Sequence, residues 1–393
     1  MKELLNKLLK INLWNIIFSL FNLLSSFLIV RVLGVSILGE YIVVNVYIAF
    51  SALIIVAIPP NLAVYKYQDE VDFPKIHSSY FVCISIISGL ILAVSAFVFL
   101  EIEVSLLYLI AYAVGIAWNN YFDVYFQARG LLKEYYKFLT IIAVSKCLLI
   151  VVFFYFGQLK TIDDLLVSQL VPQLSIIIIY LYRIKFFRRD KFVSISRLVG
   201  YMKSNIRLFI PYYFSSSLKV CKEQIDIIIF NLFISKEVLG IFSLFTKSIT
   251  FFNSLIRVIE SYFINRKNIK DDYDLLFRKS IVIGFIFQIG YMLFNTVYVY
   301  IMIRKFLIIE TIIASFFFLF AAKFIMVRQK MLSNFDMRLI NISQISYILV
   351  SVLLSVLCHY LYDIDIMAVL SIYVISNLVS QKIIIMGKTI RRI

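Results

Sequence analysis

The chain has 393 residues, of which 62% are hydrophobic, 17% aromatic and only 16% charged, with a mean hydropathy of +0.94. Soluble domains carry roughly a quarter charged residues and about half apolar ones, so the composition excludes an ordinary water-soluble protein, and so apolar a chain cannot stay solvated as a disordered one. The net charge of +16, from 39 Lys and Arg against 23 Asp and Glu, would suggest nucleic acid in a soluble protein; in a polytopic chain it reports topology instead, and no nucleic-acid partner is expected.

The N-terminal segment 1–10 is basic and runs into a long apolar stretch with polar positions and no small-residue cleavage site, so the first helix is expected to be retained. A hydrocarbon core of about 30 Å needs about 20 helical residues to cross it. Twelve runs fit: 11–30, 38–58, 78–99, 105–127, 138–157, 164–182, 208–233, 238–261, 281–301, 306–325, 339–359 and 366–386. The fold class predicted is all-α, a polytopic membrane protein.

Lys and Arg collect on the cytoplasmic side of short loops. With the N-terminus inside, 28 of the 39 fall in cytoplasmic segments, five (Arg31, Lys160, Lys236, Arg304, Lys305) fall outside, and six (Lys146, Lys219, Lys222, Lys247, Arg257, Lys323) fall within helices. Both termini and the strongly basic segment 183–207 are therefore predicted to be cytoplasmic. That segment divides six helices from six, which gives an N-terminal bundle (1–182), a basic linker (183–207) and a C-terminal bundle (208–393). An even number of helices per half makes any duplication a parallel repeat about the membrane normal. A weak one is present at an offset of 201: Leu38-Gly39-Glu40-Tyr41 matches Leu239-Gly240-Ile241-Phe242, and Asn15, Asn22 and Ser25 align with Ser216, Glu223 and Asp226. The external loops are all very short, so function is expected within the membrane.

Polar residues inside spans are expensive and mark candidate sites. Helix one carries Asn12, Asn15, Ser19, Asn22 and Ser26 on a single face, which suits packing glue and cavity lining equally. Asn119, Asn120, Asp123 and Gln127 in the fourth span and Lys146 in the fifth are weaker candidates. The seventh span holds Lys219, Lys222, Glu223 and Asp226 at i, i+3, i+4, i+7, hence on one face at mid-depth. Internal i, i+4 pairing accounts for part of this; a hydrated cavity accounts for all four. The eighth span adds Ser243, Lys247, Thr250, Ser254 and Ser261, with Arg257 and Glu260 nearer the surface, where Arg257 has reach enough to snorkel.

Asp271-Asp272-Tyr273-Asp274 and Asp363-Ile364-Asp365 invite a metal-dependent enzyme reading, but neither has a surrounding nucleotide-binding domain, so both read as solvated loop charge. His77 and His359 have no nucleophile arrangement. No Gly-rich phosphate loop occurs, and Cys83, Cys147, Cys221 and Cys358 form no CxxC or Cys/His group. No cofactor, no metal and no enzyme activity are expected.

The stretch Arg31-Val32-Leu33-Gly34-Val35-Ser36-Ile37-Leu38-Gly39-Glu40-Tyr41, with Ile210-Pro211, Asp226 and Lys236-Glu237-Val238-Leu239-Gly240-Ile241-Phe242, resembles the Wzx-type O-antigen and polysaccharide flippases of the multidrug/oligosaccharidyl-lipid/polysaccharide (MOP, MATE-like) superfamily. Phe242 replaces the more usual Tyr, and the basic residue often found after the helix-seven Asp is absent. The resemblance implies two six-helix bundles around a central cavity and alternating access in a bacterial inner membrane. It also implies an undecaprenyl-pyrophosphate-linked glycan as cargo and, as partners, membrane lipids, a polysaccharide polymerase and a chain-length regulator. A pyrophosphate needs cations at depth, so Lys219, Lys222 and Lys247 are assigned to substrate binding, with Arg31 at the outer mouth and Asn22 beside them. Coupling to a proton or sodium ion is assigned to Glu223 and Asp226, which serve equally well as simple neutralisers of the lysines. The alternatives are an integral-membrane polymerase or glycosyltransferase, disfavoured by the lack of a large external loop, and a cation-coupled drug exporter, disfavoured by the lysines.

Overall fold

The computed structural model describes residues 2–55, 63, 66–67, 70–83, 106–188, 191–264, 270–333, 337–361 and 364–390. Among them regular structure is helical throughout, with no strand. In chain order the helices are α1 (Lys2–Leu33), α2 (Val35–Ile55), α3 (73–83), α4 (Leu106–Ala128), α5 (Leu132–Tyr155), α6 (Ile162–Arg183) and α7 (Ile195–Phe233). They continue with α8 (Lys236–Ile264), α9 (Lys270–Ile303), α10 (Ile308–Ser315), α11 (Ala321–Ser333), α12 (Met337–Leu361) and α13 (Ile366–Ile390). Eight of the described helical segments, among them Leu13–Leu33, Lys133–Tyr155 and Ile366–Gly387, are long and apolar enough to cross a membrane. The predicted span 78–99 lies outside the described residues from position 84 onward. The side chains of Arg257, Glu260, Ser261 and the Asp271–Asp274 run lie outside them as well, as does Asp363.

Local chemistry sets the helix ends. Thr161 caps α6 reciprocally: its hydroxyl accepts from the Asp164 amide, and the Asp164 carboxylate accepts from the Thr161 amide at 2.8 Å. Such a box satisfies two amides that the first turn otherwise leaves without a partner. Between α1 and α2 a single residue, Gly34, turns the chain with φ +91°, a conformation that costs glycine little and other residues much.

The chain forms two compact units, one of residues Met1–Val43 with Cys221–Ile393 and the other of Val44–Val220. This packing division groups helices by contact, whereas the six-and-six division above counts membrane crossings.

In the first unit α1 lies along α8, and its core gathers Phe230, Phe242, Phe245, Tyr291 and Phe318. The sequence reads 306–325 as one span, and Ile308–Arg328 is indeed long and apolar enough to cross, but its helix is interrupted. After α10 comes a 3-10 turn, Phe316–Phe318, before the chain resumes as α11. Freed backbone carbonyls in a membrane need partners. The Gln381 amide donates to the Phe317 carbonyl at 3.3 Å, and Gly284 of α9 leaves room where a Cβ would meet the Phe318 and Leu319 carbonyl oxygens at 2.7 Å. Gln288 to Ser315 (3.2 Å) and Asn295 to Thr311 (3.0 Å) tie α9 to α10.

In the second unit α4, α5 and α6 share an aromatic core in which Phe138 lies 4.8 Å, ring centroid to centroid, from both Phe122 and Tyr180. His77 is fully buried there, stacked on Tyr121 with its Nδ1 3.1 Å from the Tyr67 hydroxyl. The segment read as a linker is largely folded: α7 begins at Ile195, thirteen residues ahead of the predicted span. It is held down by Arg197 on Asp72 at 2.5 Å, by Tyr201 donating to Glu70 at 2.6 Å, and by the Val193 amide donating to Ser79 at 2.8 Å.

Partial burial opposes ionisation of Glu70, but the hydrogen bonds from Lys66 and Tyr201 and the Lys66 charge hold its carboxyl below the usual range. The ionised Glu70 thus contributes docking stability above the unfolded carboxylate range, and that contribution is lost as pH falls through the lowered value. The double variant Glu70→Gln, Asp72→Asn is expected to raise amide exchange over 191–207 at neutral pH by about tenfold, since an exposed ion pair and one charged hydrogen bond together contribute about 1.5 kcal/mol. Hydrogen–deuterium exchange checks this; unchanged protection would show that the apolar contacts alone hold the segment.

Candidate functional site

The first unit brings two of the predicted residues, Asp226 and Lys222, into one polar constellation. Asp226, 3% exposed on α7, accepts hydrogen bonds from the hydroxyls of Tyr347 and Ser351 on α12. One turn earlier on α7, the Lys222 ammonium donates to Ser380 of α13 at 2.9 Å and stands 4.8 Å from the centre of the Tyr347 ring. Tyr347 therefore serves both charges, its electron-rich face toward the cation and its hydroxyl toward the carboxylate. Ser380 is itself fixed by Ser343, whose hydroxyl lies 2.7 Å from that of Ser380 and 2.9 Å from its carbonyl oxygen. The charges that act on Lys222 are Arg328, which repels it, and Glu223 and Asp226, which attract it.

Lys247 of α8 makes a second, separate cationic point. It donates to Ser26 of α1 at 2.7 Å, and Ser26 donates onward to the Asn22 carbonyl at 3.0 Å. Two turns further along, Ser19 donates to Ser254 at 3.2 Å. The polar stripe of α1 thus faces α8 through Ser19 and Ser26, both buried like Asn15, while Asn22 is exposed and contributes its backbone carbonyl instead. Both lysines rest on neutral hydroxyls. Among the described residues neither has a carboxylate within ion-pair distance, the ion pairs there being Lys66–Glu70, Lys137–Glu134 and Arg197–Asp72. An ammonium held by neutral hydroxyls has no carboxylate to give up when an anion arrives.

The remaining assigned residues are placed differently. Glu223 is exposed on α7. Lys219 is also exposed, and it falls in the second unit, where its charge acts on Asp123. Arg31, exposed at the last turn of α1, donates to the Ile301 carbonyl near the end of α9 and passes 5.5 Å from the Phe27 ring. In the second unit Lys146 donates to Gln173 at 2.7 Å, and Asp123 accepts from Gln127 at 2.6 Å.

Sequence reasoning passed over Tyr347, Ser343, Ser351 and Ser380. The signal for the first three was present: Ser343, Tyr347, Ser351 and Ser355 recur every four residues along α12 and are all buried, a polar stripe on one helix face.

At the starts of α2 and α8 the repeat becomes visible as geometry. Helices α2 and α8 start at Val35 and Lys236, 201 residues apart, the offset seen in the sequence. A Cβ on Gly39 would collide with the Lys236 carbonyl oxygen, and a Cβ on Gly240 would collide with the Val35 carbonyl oxygen. Each member of the contact is the other shifted by 201, so the two helix starts touch backbone to backbone about a local pseudo-twofold. Leu38 and Leu239, also equivalent, are fully buried beside it.

No protein-family model matches the chain, and no curated protein matches it by sequence. In three dimensions it is similar to a multidrug-resistance MATE transporter of the MOP superfamily in an inward-facing conformation, with a TM-score of 0.71 at 14% identity over 95% of this chain and 94% of that one. An outward-facing multidrug-resistance MATE transporter matches with a TM-score of 0.60 at 13% identity over 98% and 95% of the two chains. A MOP superfamily transporter from Pyrococcus furiosus Vc1, described by the reverse polarity of its binding pocket, matches with a TM-score of 0.58 at 13% identity over 98% and 95%. The protein has the all-α MATE transporter fold along its whole length, with which a layout of twelve spanning helices is consistent.

Proposed function

We propose that the protein is a flippase that carries an undecaprenyl-pyrophosphate-linked oligosaccharide across a bacterial inner membrane by alternating access, between two six-helix halves joined by the basic segment near residue 190. The observation that carries this reading is the pair of lysines at depth, Lys222 and Lys247, each resting on serine hydroxyls without a carboxylate in ion-pair range. A multivalent anion suits such a pair better than a cationic drug does, and the hydroxyl-rich faces of α1, α12 and α13 suit a glycan that hydrocarbon rejects. Membrane enzymes that extend the exported glycan, a polymerase with its chain-length regulator, are the partners this reading implies. Arg31 would act at the external mouth, and Lys219 would be a further cationic contact for the cargo. Flux would be coupled to a proton or sodium gradient through Asp226, with Glu223 as an accessory charge.

In proteoliposomes, the double variant Lys222→Ala, Lys247→Ala is expected to lower flipping of a fluorescent lipid-pyrophosphate-linked oligosaccharide by about 100-fold or more, as each charge-assisted contact contributes about 1.5–3 kcal/mol. Membrane insertion should stay unchanged. Parent-level flipping by the double variant would refute the assignment. Gradient-driven efflux of a cationic dye, with no glycolipid flipping by the parent, would favour the drug exporter instead.

A further inference from the structure

The opening turns of α7 present a surface that the transport reading does not use. Leu198, Tyr201, Asn205 and Phe209 recur at i, i+3, i+7 and i+11 and form the face docked on their own unit, where Tyr201 meets Glu70. Beside that face runs a second apolar stripe, Ile195, Val199, Ile206 and Ile210, at i, i+4, i+11 and i+15, with exposures of 70%, 53%, 52% and 59%. Lys203 and Arg207, both exposed, border this stripe on its far side. The preceding turn adds exposed Tyr182 and Phe187 together with exposed Arg183, Lys185 and Arg188.

Length places these turns outside the hydrocarbon core. At 39 residues α7 is the longest of the described helices, about 58 Å at 1.5 Å per residue, nearly twice the hydrocarbon core. Its first turns must lie beyond that core, on the side that the charge count makes cytoplasmic. Bulk water would not favour four half-exposed branched aliphatic residues in one stripe. Hydrocarbon would not tolerate five exposed cations. The headgroup layer accommodates both, with apolar side chains reaching the acyl boundary and cations on phosphates.

We propose that residues 195–210 form a membrane-surface element of the cytoplasmic leaflet that binds anionic phospholipid headgroups. Ile195, Val199, Ile206 and Ile210 point toward the acyl chains, and Lys203, Arg207, Arg183, Lys185 and Arg188 meet the lipid phosphates. Charge complementarity selects this occupant: every exposed cation named here lacks an ion pair among the described residues, whereas Arg197, on the opposite edge of the helix, is committed to Asp72. The proposal is independent of the cargo assigned above.

The full chain, with a nitroxide on Val199→Cys, is reconstituted in nanodiscs of phosphatidylcholine alone or with a third phosphatidylglycerol. Relaxation by oxygen above that by a water-soluble nickel chelate, with the oxygen preference rising in the anionic discs, is the expected result. Chelate-dominated relaxation in both discs overturns the proposal, because the stripe would then face water. Shielding from both relaxants overturns it too, because the occupant would then be protein. In native mass spectrometry, neutralising Lys203, Arg207, Lys185 and Arg188 together to Gln should lower phosphatidylglycerol retention by about tenfold or more, following the contribution of each surface cation to anionic-lipid binding. Retention equal to the parent overturns the headgroup assignment.

Discussion

Under the proposed function, replacing Gly39 or Gly240 by valine is expected to lower flipping by about one to two orders of magnitude while leaving the protein inserted and folded, and the two substitutions are expected to have equal effects. Equality follows from the reciprocity of the contact, in which Gly39 faces the Lys236 carbonyl and Gly240 the Val35 carbonyl. Close backbone approach between membrane helices relies on small residues at the crossing. A Cβ placed against backbone, which has no rotamer to change, must push the two helices apart. Overpacking of this kind costs about 1–3 kcal/mol, enough to lower the population of the closed arrangement roughly 5- to 150-fold. Under the proposed function this contact, beside the predicted external residues Arg31, Lys236 and Arg304, closes the outer face while the cargo loads from inside. Alanine at either position should give an intermediate loss. The double alanine variant should cost less than the two single effects summed, since both act on one contact. Flipping assays with the four single variants and one double variant check the pattern. Full activity in Gly39→Val would show that the helix starts never need to meet.

What the sequence made legible was what periodicity and charge can carry. The helix positions followed from run length, and the mid-depth charges on α7 stood out because hydrocarbon makes each of them costly. The repeat was visible only as a few matched residues near Leu38-Gly39 and Leu239-Gly240. Its meaning lay in a contact between backbones, which leaves no side-chain signature beyond the glycines. The break after Ser315 was hidden because Phe316–Phe320 is as apolar as any spanning helix; Gly284 and Gln381, which make the break tolerable, sit in other helices. The start of α7 was missed because its anchors, Glu70 and Asp72, are more than 120 residues away in sequence. The i, i+4 pairing of Lys222 with Asp226 looked plausible on a helical wheel. In the structure each turns instead to α12 and α13, where hydroxyls satisfy them, and no pattern within α7 alone could reveal that.

Replacing Asp226 by asparagine should cut gradient-driven flux by about tenfold or more and remove its response to an imposed pH difference, whereas Tyr347→Phe should lower flux and keep the response. The distinction comes from what each group does in the constellation. Asp226 is the buried carboxylate, bound by two hydroxyl donors, and each hydrogen bond to a charged group contributes about 1.5–3 kcal/mol. An amide keeps the shape but neither the charge nor the capacity to take up a proton. Tyr347→Phe removes one donor yet leaves the ring beneath Lys222 and the Ser351 hydroxyl on Asp226, so the titratable group survives in a weaker site. An incoming pyrophosphate would draw Lys222 from Ser380 and from the Tyr347 face, weakening the attraction that Asp226 feels from it. Cargo and proton would then compete through one lysine, and exchange follows from their differing affinities in the two access states. Flux at fixed cargo concentration, with the pH gradient imposed and then collapsed, measures both variants. If Asp226→Asn keeps the parent's gradient response, the coupling group lies elsewhere and Asp226 serves only to hold Tyr347 and Ser351 in place.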